Sequence, residues 1–213
     1  MTWDAEFTAI LVPALLKGLW VTVQATVVGY ALALVLGLAI AILRRVRFIG
    51  GVLFVVMEFI RTTPLLVQLV FIFSLSALSN VPALVIGMIV LGIHYSAYTA
   101  EVYRSGIEGV AKGQWEACTA LSLPASRTWG AVILPQAVRK VIPALGNYLI
   151  AMFKDTPLLF AISVPEMLSV ANGLGGQYFR SLEAFTLVGV AFLLVSVPSA
   201  VVIRRLERRY AAV

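Results

Sequence analysis

The chain has 213 residues, of which 61% are hydrophobic and only 12% charged, roughly half the charged share of an ordinary globular domain. A soluble protein of this size has too little interior to hide that much apolar material, and the mean hydropathy of +0.99 excludes a soluble enzyme and a disordered chain alike. Sixteen Lys and Arg against ten Asp and Glu give a net charge of +6, but the positives stand in bursts beside apolar runs, which points to membrane orientation and away from nucleic acid.

A helix needs about 20 apolar residues to cross a hydrocarbon core roughly 30 Å thick. Asp4 and Glu6 stand where a signal peptide would be basic, so no cleavable signal peptide is expected. Residues 18–43 carry no charge and form the first predicted span. The second covers residues 52–78 and contains Glu58 and Arg61; the third covers 83–104. Residues 105–140 are the longest polar segment and read as a cytoplasmic loop. Within it, Glu108 to Leu121 reads as a short amphipathic helix with Val110, Trp115 and Leu121 on its apolar face. Ser122-Leu123-Pro124 breaks that helix, and Ser126 is placed to cap a second one. The fourth span, 141–156, is irregular, because Lys154, Asp155 and Pro157 interrupt its end; the fifth, 184–203, is clean. The expectation is an all-α membrane protein with five transmembrane helices, in a single transmembrane domain over residues 1–213.

Basic residues favour the cytoplasmic side. Arg44, Arg45 and Arg47 follow the first span; Arg104, Lys112, Arg127, Arg139 and Lys140 lie between the third and fourth; Arg204, Arg205, Arg208 and Arg209 follow the fifth. With these inside, twelve of the sixteen positives are cytoplasmic, and the N-terminus lies outside and the C-terminus inside.

Ionisable groups in hydrocarbon cost at least ~2.5 kcal/mol each, so by default they mark a function or a partner. Glu58 and Arg61 are spaced to pair on one helical face, which Leu65 and Gln68 continue. At ~1.5 Å per residue, Arg61 counted from Arg47 and Lys154 counted from Lys140 reach a similar depth, about 20 Å in. Pro157 lacks an N–H and disfavours helix at Thr156, so the fourth span is expected to break at Lys154-Asp155-Thr156-Pro157. Broken helices at depth are tolerated where they line a cavity, and in transporters they form substrate sites. The plainer reading is that the two charged pairs only neutralise each other. His94, Tyr98, Glu101 and Ser105 form a weaker stripe on the third span, with Tyr95 beside it. With one His and one Cys (Cys118), no zinc site of His and Cys ligands can be assembled, and no metal is expected.

Within the loop, Glu116-Ala117-Cys118, three residues, Ser122, nine residues and Val132-Ile133-Leu134-Pro135 resemble the EAA loop of ABC importer permeases, with Ser122 where that pattern has Gly. Glu58-Phe59-Ile60-Arg61-Thr62-Thr63-Pro64-Leu65-Leu66-Val67-Gln68 is similar to the second-span signature of the polar amino acid permeases. Lys154-Asp155-Thr156-Pro157-Leu158 is similar to that family's K-[DE]-T-[SP]-L segment. Within the family, the segments from His94 to Arg104 and from Ala151 to Pro157 look most like the ectoine/hydroxyectoine permeases.

The resemblance implies a type I ABC importer permease of the bacterial inner membrane, working as a dimer with a second copy or a paralogue. Its expected partners are ATPase subunits, an extracytoplasmic solute-binding protein, membrane lipid and a small zwitterionic solute. It also implies that Gly113, Glu116, Ala117, Ala120, Leu121, Ser122, Leu134 and Pro135 meet the ATPase, and that Glu58, Arg61, Gln68, His94, Tyr95, Tyr98, Glu101, Lys154, Asp155 and Thr156 line the substrate path. The chain carries no G-x-x-x-x-G-K-[ST] loop, so no cofactor of its own is expected and ATP is assigned to a partner. Two other classes stay open on the residues alone: an intramembrane enzyme using buried acidic or His residues, and an ATP-independent channel.

Overall fold

The computed structural model describes residues 3–75 and 80–210. The Asp4 carboxylate accepts from the backbone N–H groups of Glu6 and Phe7 at 2.9 and 3.1 Å, so the first helix, α1 (Ala5–Leu43), begins well before the predicted residue 18. Its 39 residues measure about 58 Å, nearly twice the roughly 30 Å of hydrocarbon that a span must cross.

Lipid gives helices no hydrophobic reason to associate, so close packing must hold them. In α1 the small buried residues Gly29, Ala33, Gly37 and Ala41 recur every fourth position and face α4 (Ala83–Glu108), which runs past the predicted end at 104. A Cβ at Gly37 would collide with the Thr99 side chain, and the Thr99 hydroxyl donates to the Ala33 carbonyl at 2.8 Å. Backbone touches backbone along this seam, and the remaining helices assemble on it.

The second predicted span is not one straight helix. Residues α2 (Arg47–Thr62) and α3 (Leu65–Phe73) meet at a 99° bend, and residues 76–78 of the prediction lie outside the described residues. Pro64 removes an N–H and pushes Thr63 to an extended conformation (φ −88°, ψ 131°), which ends α2. The predicted helix from Glu108 to Leu121 is also split. Residue Glu108 still belongs to α4, and α5 (Lys112–Ala120) starts after Gly109, Val110 and Ala111. Pro124, not Ser126, stands at the start of the short α6 (Ala125–Arg127), with no side-chain cap.

From α6 the chain runs through a wide π turn (Thr128–Ile133), α7 (Leu134–Asp155) and a 3₁₀ segment (Thr156–Ile162) before it bends by 51° into α8 (Met167–Gln177). The α-helix thus ends at Asp155, within the predicted Lys154–Pro157 break, but the chain continues as 3₁₀ helix and bends only beyond Ile162. Pro157 falls in the first turn of the 3₁₀ segment, where a missing N–H costs no intrahelical bond. The bend begins at Ser163, which adopts a left-handed φ of 63°. Helix α9 (Ser181–Tyr210) exceeds the predicted 184–203 at both ends.

Among the described residues, α1, α4 and α9 are each long and apolar enough to cross a membrane, and counting each bent pair as one span raises the number to five. Four apolar clusters among the described residues fill the bundle: Leu11, Phe153, Met167 and Ala184 at one end, Leu69, Leu91, Met152 and Leu159 in the middle, Ala41, Ile107, Ile133 and Ala137 at the other, and a small one of Met57, Ala97 and Ala100. Gly37→Leu should overpack the α1–α4 seam at a cost of about 1–3 kcal/mol. The purified variant is expected to unfold at lower temperature in detergent than Gly37→Ala, and the same melting temperature for both would contradict this packing.

Candidate functional site

Each bend frees backbone groups that must be satisfied inside the protein. At the α2–α3 bend Gln68 meets this need: its amide nitrogen donates to the carbonyls of Ile60 (2.8 Å) and Thr63 (3.2 Å). Its oxygen lies 3.0 Å from His94 Nδ1, which must therefore carry the proton. Both predicted path residues are thus brought together, with Gln68 tying the bend to α4 and His94 buried behind it.

The 3₁₀ segment packs against α3, so the end of α7 meets the first bend. Here Asp155 is half-buried, and one carboxylate oxygen accepts from the Tyr95 hydroxyl at 2.7 Å. Its other oxygen takes no hydrogen bond from the described residues. Next to it the rings of His94, Tyr95, Tyr98 and Tyr148 form a continuous cluster with centroids 5.4–6.4 Å apart. Tyr98 is only half-buried and lies within electrostatic reach of both Arg61 and Asp155. A carboxylate, hydroxyl donors and aromatic faces thus meet where the 3₁₀ segment packs against α3.

Consecutive residues of α7 do different things. Lys154 is exposed, forms no ion pair with Asp155, and lines a groove against α9 with Pro157, Gly189, Phe192 and Arg204. About 100° of helical rotation separates the two side chains, so they do not act as a pair. Thr156 is fully buried and its hydroxyl donates to the Phe153 carbonyl at 2.7 Å. Glu58 and Arg61 do pair, at 2.5 Å, with the Glu58 side chain 48% exposed on the outer face of α2. Glu101 lies farther along α4, between Arg44 (2.9 Å) and Arg104, and Arg104 also reaches Glu108 at 2.5 Å. This ion cluster ties the end of α1 to the end of α4.

On the loop, Cys118 is buried while Gly113, Glu116, Ala117, Ala120 and Ser122 are exposed. Of the predicted apolar positions of the loop helix, Val110 is buried while Leu121 is 71% exposed. Ser122 adopts a left-handed φ of 49°, the conformation that glycine takes most easily. Leu134 is half-buried and Pro135 exposed at the start of α7. Beside α5 a cleft of about 530 Å³ is lined by Trp115, Glu116, Thr119, Leu123 and Thr128.

Three contributors were not read from the sequence. Tyr148 closes the aromatic cluster, and its place on the α7 face, seven residues before Asp155, is the signal that would have found it. Glu166, fully buried, caps α8 by accepting from Leu168 and Ser169 at 2.7 and 2.6 Å, a role usually signalled by Asp, Ser or Thr. Tyr30 donates to the Leu145 carbonyl and pins α1 to α7.

Comparison with known proteins agrees with this architecture. The chain is 42% identical to the probable amino-acid ABC transporter permease protein y4tG of Sinorhizobium fredii, over 95% of this chain and 92% of that one. It is 36% identical to the glutamine transport system permease protein GlnP of Escherichia coli, over 97% and 96% of the two chains. A crystal structure of an amino acid ABC transporter with histidines superposes with a TM-score of 0.87 at 31% identity, covering 98% of this chain and 100% of that one. An inward-facing MetNI methionine ABC transporter structure shares the fold at 15% identity and a TM-score of 0.68, covering 96% of this chain and 99% of that one. The all-helical fold is that of type I ABC importer permeases. The family described as "binding-protein-dependent transport system inner membrane component" matches residues 33–212. With most of its length matched, the chain belongs to that family of inner-membrane transport components.

Proposed function

We propose that the chain is the translocating subunit of an ATP-driven importer for amino acids or a related zwitterionic compatible solute such as ectoine or hydroxyectoine. The observation that carries this reading is the half-buried Asp155 carboxylate, held by Tyr95 beside the Tyr98–Tyr148 faces, with Tyr98 in turn feeling the charge of Arg61. A zwitterion presents a cation and a carboxylate a few ångströms apart. Asp155 and the tyrosine faces would take the cation, and Arg61 the carboxylate. The printed names of the relatives, amino acid for one and glutamine for another, support the substrate class. Neither an intramembrane enzyme nor a free channel accounts for the family membership.

The bands of arginine after α1 and α9 support an orientation with the N-terminus outside and the C-terminus inside. The exposed helix α5, with Glu116 and Ala117 outward beside Leu121, then faces the cytoplasm and offers an apolar knob and a carboxylate to an ATPase groove. The outer face of α2, where Phe48 and Phe59 are exposed around the Glu58–Arg61 pair, would be covered by a second permease subunit. An ion pair on a face turned to lipid is costly, and a partner or a shared water-filled path removes that cost. A solute-binding protein would dock on the opposite side, near Asp4, Arg180 and Glu183.

Reconstituted with its ATPase, partner permease and binding protein, Asp155→Asn should lower solute uptake about tenfold or more, while ATP hydrolysis without solute persists. Lys154→Ala should keep most uptake, because Lys154 faces α9. Wild-type uptake by Asp155→Asn would overturn the site. In a separate co-purification measurement, Glu116→Lys and Leu121→Asp should each lose the ATPase subunit while the permease keeps its elution volume. Retention of the ATPase by both variants would remove the proposed coupling surface.

A further inference from the structure

We propose that the end of the bundle where α1 and α4 finish together binds a phosphate-bearing anion, with the Arg45 guanidinium as its principal donor. The observation is a cleft of about 350 Å³ lined by Ala41, Arg44, Arg45, Arg104, Ile107 and Glu108. Two of its three guanidiniums are already matched: Arg44 donates to Glu101 at 2.9 Å, and Arg104 pairs with Glu101 and Glu108. Arg45 is different. It meets no carboxylate and makes no side-chain hydrogen bond among the described residues; instead its guanidinium lies 5.0 Å from the Trp115 ring and 5.1 Å from the Trp129 ring. The two indoles are packed edge to face at 5.3 Å.

Cation–π contact of this kind engages the charge without a hydrogen bond and leaves for an anion the N–H groups, a fork suited to two phosphate oxygens. With three arginines set against Glu101 and Glu108, the cleft is left with a single excess positive charge, that of Arg45. One anionic phosphate would balance it. The level is right for a membrane surface, since the exposed apolar residues Leu43, Val46 and Phe48 flank the site. The phosphodiester of an anionic phospholipid and a free phosphate share this chemistry. Because Trp115 belongs to α5 and Trp129 to the π turn, an anion that holds Arg45 also stiffens the contact between the exposed loop helix and the end of α1. This inference stands on the cleft itself and does not depend on the identity of the transported solute.

The test is native mass spectrometry of the full chain released from nanodiscs of equal parts phosphatidylcholine and phosphatidylglycerol. Wild type should retain phosphatidylglycerol over phosphatidylcholine by roughly tenfold. Arg45→Gln should lose that preference, and Arg45→Lys should keep part of it, since the charge remains but the fork does not. Arg47→Gln removes the same charge outside the cleft and should bind like wild type. If added inorganic phosphate displaces the lipid, the site accepts phosphate from solution; if it does not, the lipid headgroup is the ligand. No preference in wild type, or an equal loss in Arg45→Gln and Arg47→Gln, would show only diffuse charge and overturn the proposal. Should Arg45→Gln fail to elute as a single species, the comparison of Arg45→Lys with Arg47→Gln decides.

Discussion

A polar group inside hydrocarbon must be satisfied by the protein, and this chain interrupts two of its apolar segments with helix bends and charged residues. Gln68 meets that requirement at the first bend with two donated hydrogen bonds, and Glu166 meets it at the second by capping α8. Both solutions need rigid neighbours. Gly18 and Thr22 of α1 lie against the backbone of Met167, and α3 packs on the 3₁₀ segment. If the small-residue seam between α1 and α4 were loosened, both bends would lose their support and the groups they expose would be left unpaired.

That support explains why the site is polar yet ordered. Asp155 would be costly as an isolated ion at depth, but the Tyr95 hydroxyl partly satisfies it and leaves one oxygen available. His94 is fixed by Gln68, so the ring cluster has a defined geometry instead of a choice of rotamers. Side by side in sequence, Lys154 and Asp155 point in different directions about 100° apart: one lines the α9 groove, the other meets the aromatic cluster. Their proximity in sequence conceals this division.

The far end of the bundle follows different physics. The Arg44–Glu101–Arg104–Glu108 cluster is partly solvated, so each pair contributes little to stability. Its effect is geometric, keeping the ends of α1 and α4 in register beneath the loop helix. Arg45 and the two tryptophans extend the same register to α5. A methionine transporter structure at 15% identity shares this fold.

Much of this was legible in the residues. Uncharged runs gave the membrane class and the places of α1, α4 and α9, because hydropathy follows directly from composition along the chain. The pairing of Glu58 with Arg61 followed from helical spacing alone. The ends of helices were harder: Asp4 and Glu166 act as caps only through backbone geometry, and Pro157 marked the end of the α-helix at Asp155 but not the bend, which comes only past Ile162. Pro64 carried the bend signal and the hydrophobic run around it masked the bend. What the sequence by itself determined is therefore the inventory of spans, charges and loop motif, each set by local composition and period. Only the tertiary structure decided that Gln68 meets His94, that Asp155 rather than Lys154 turns to the tyrosines, and that Arg45 lies against two indoles, because such contacts depend on the rotation and tilt of whole helices, which no local pattern encodes.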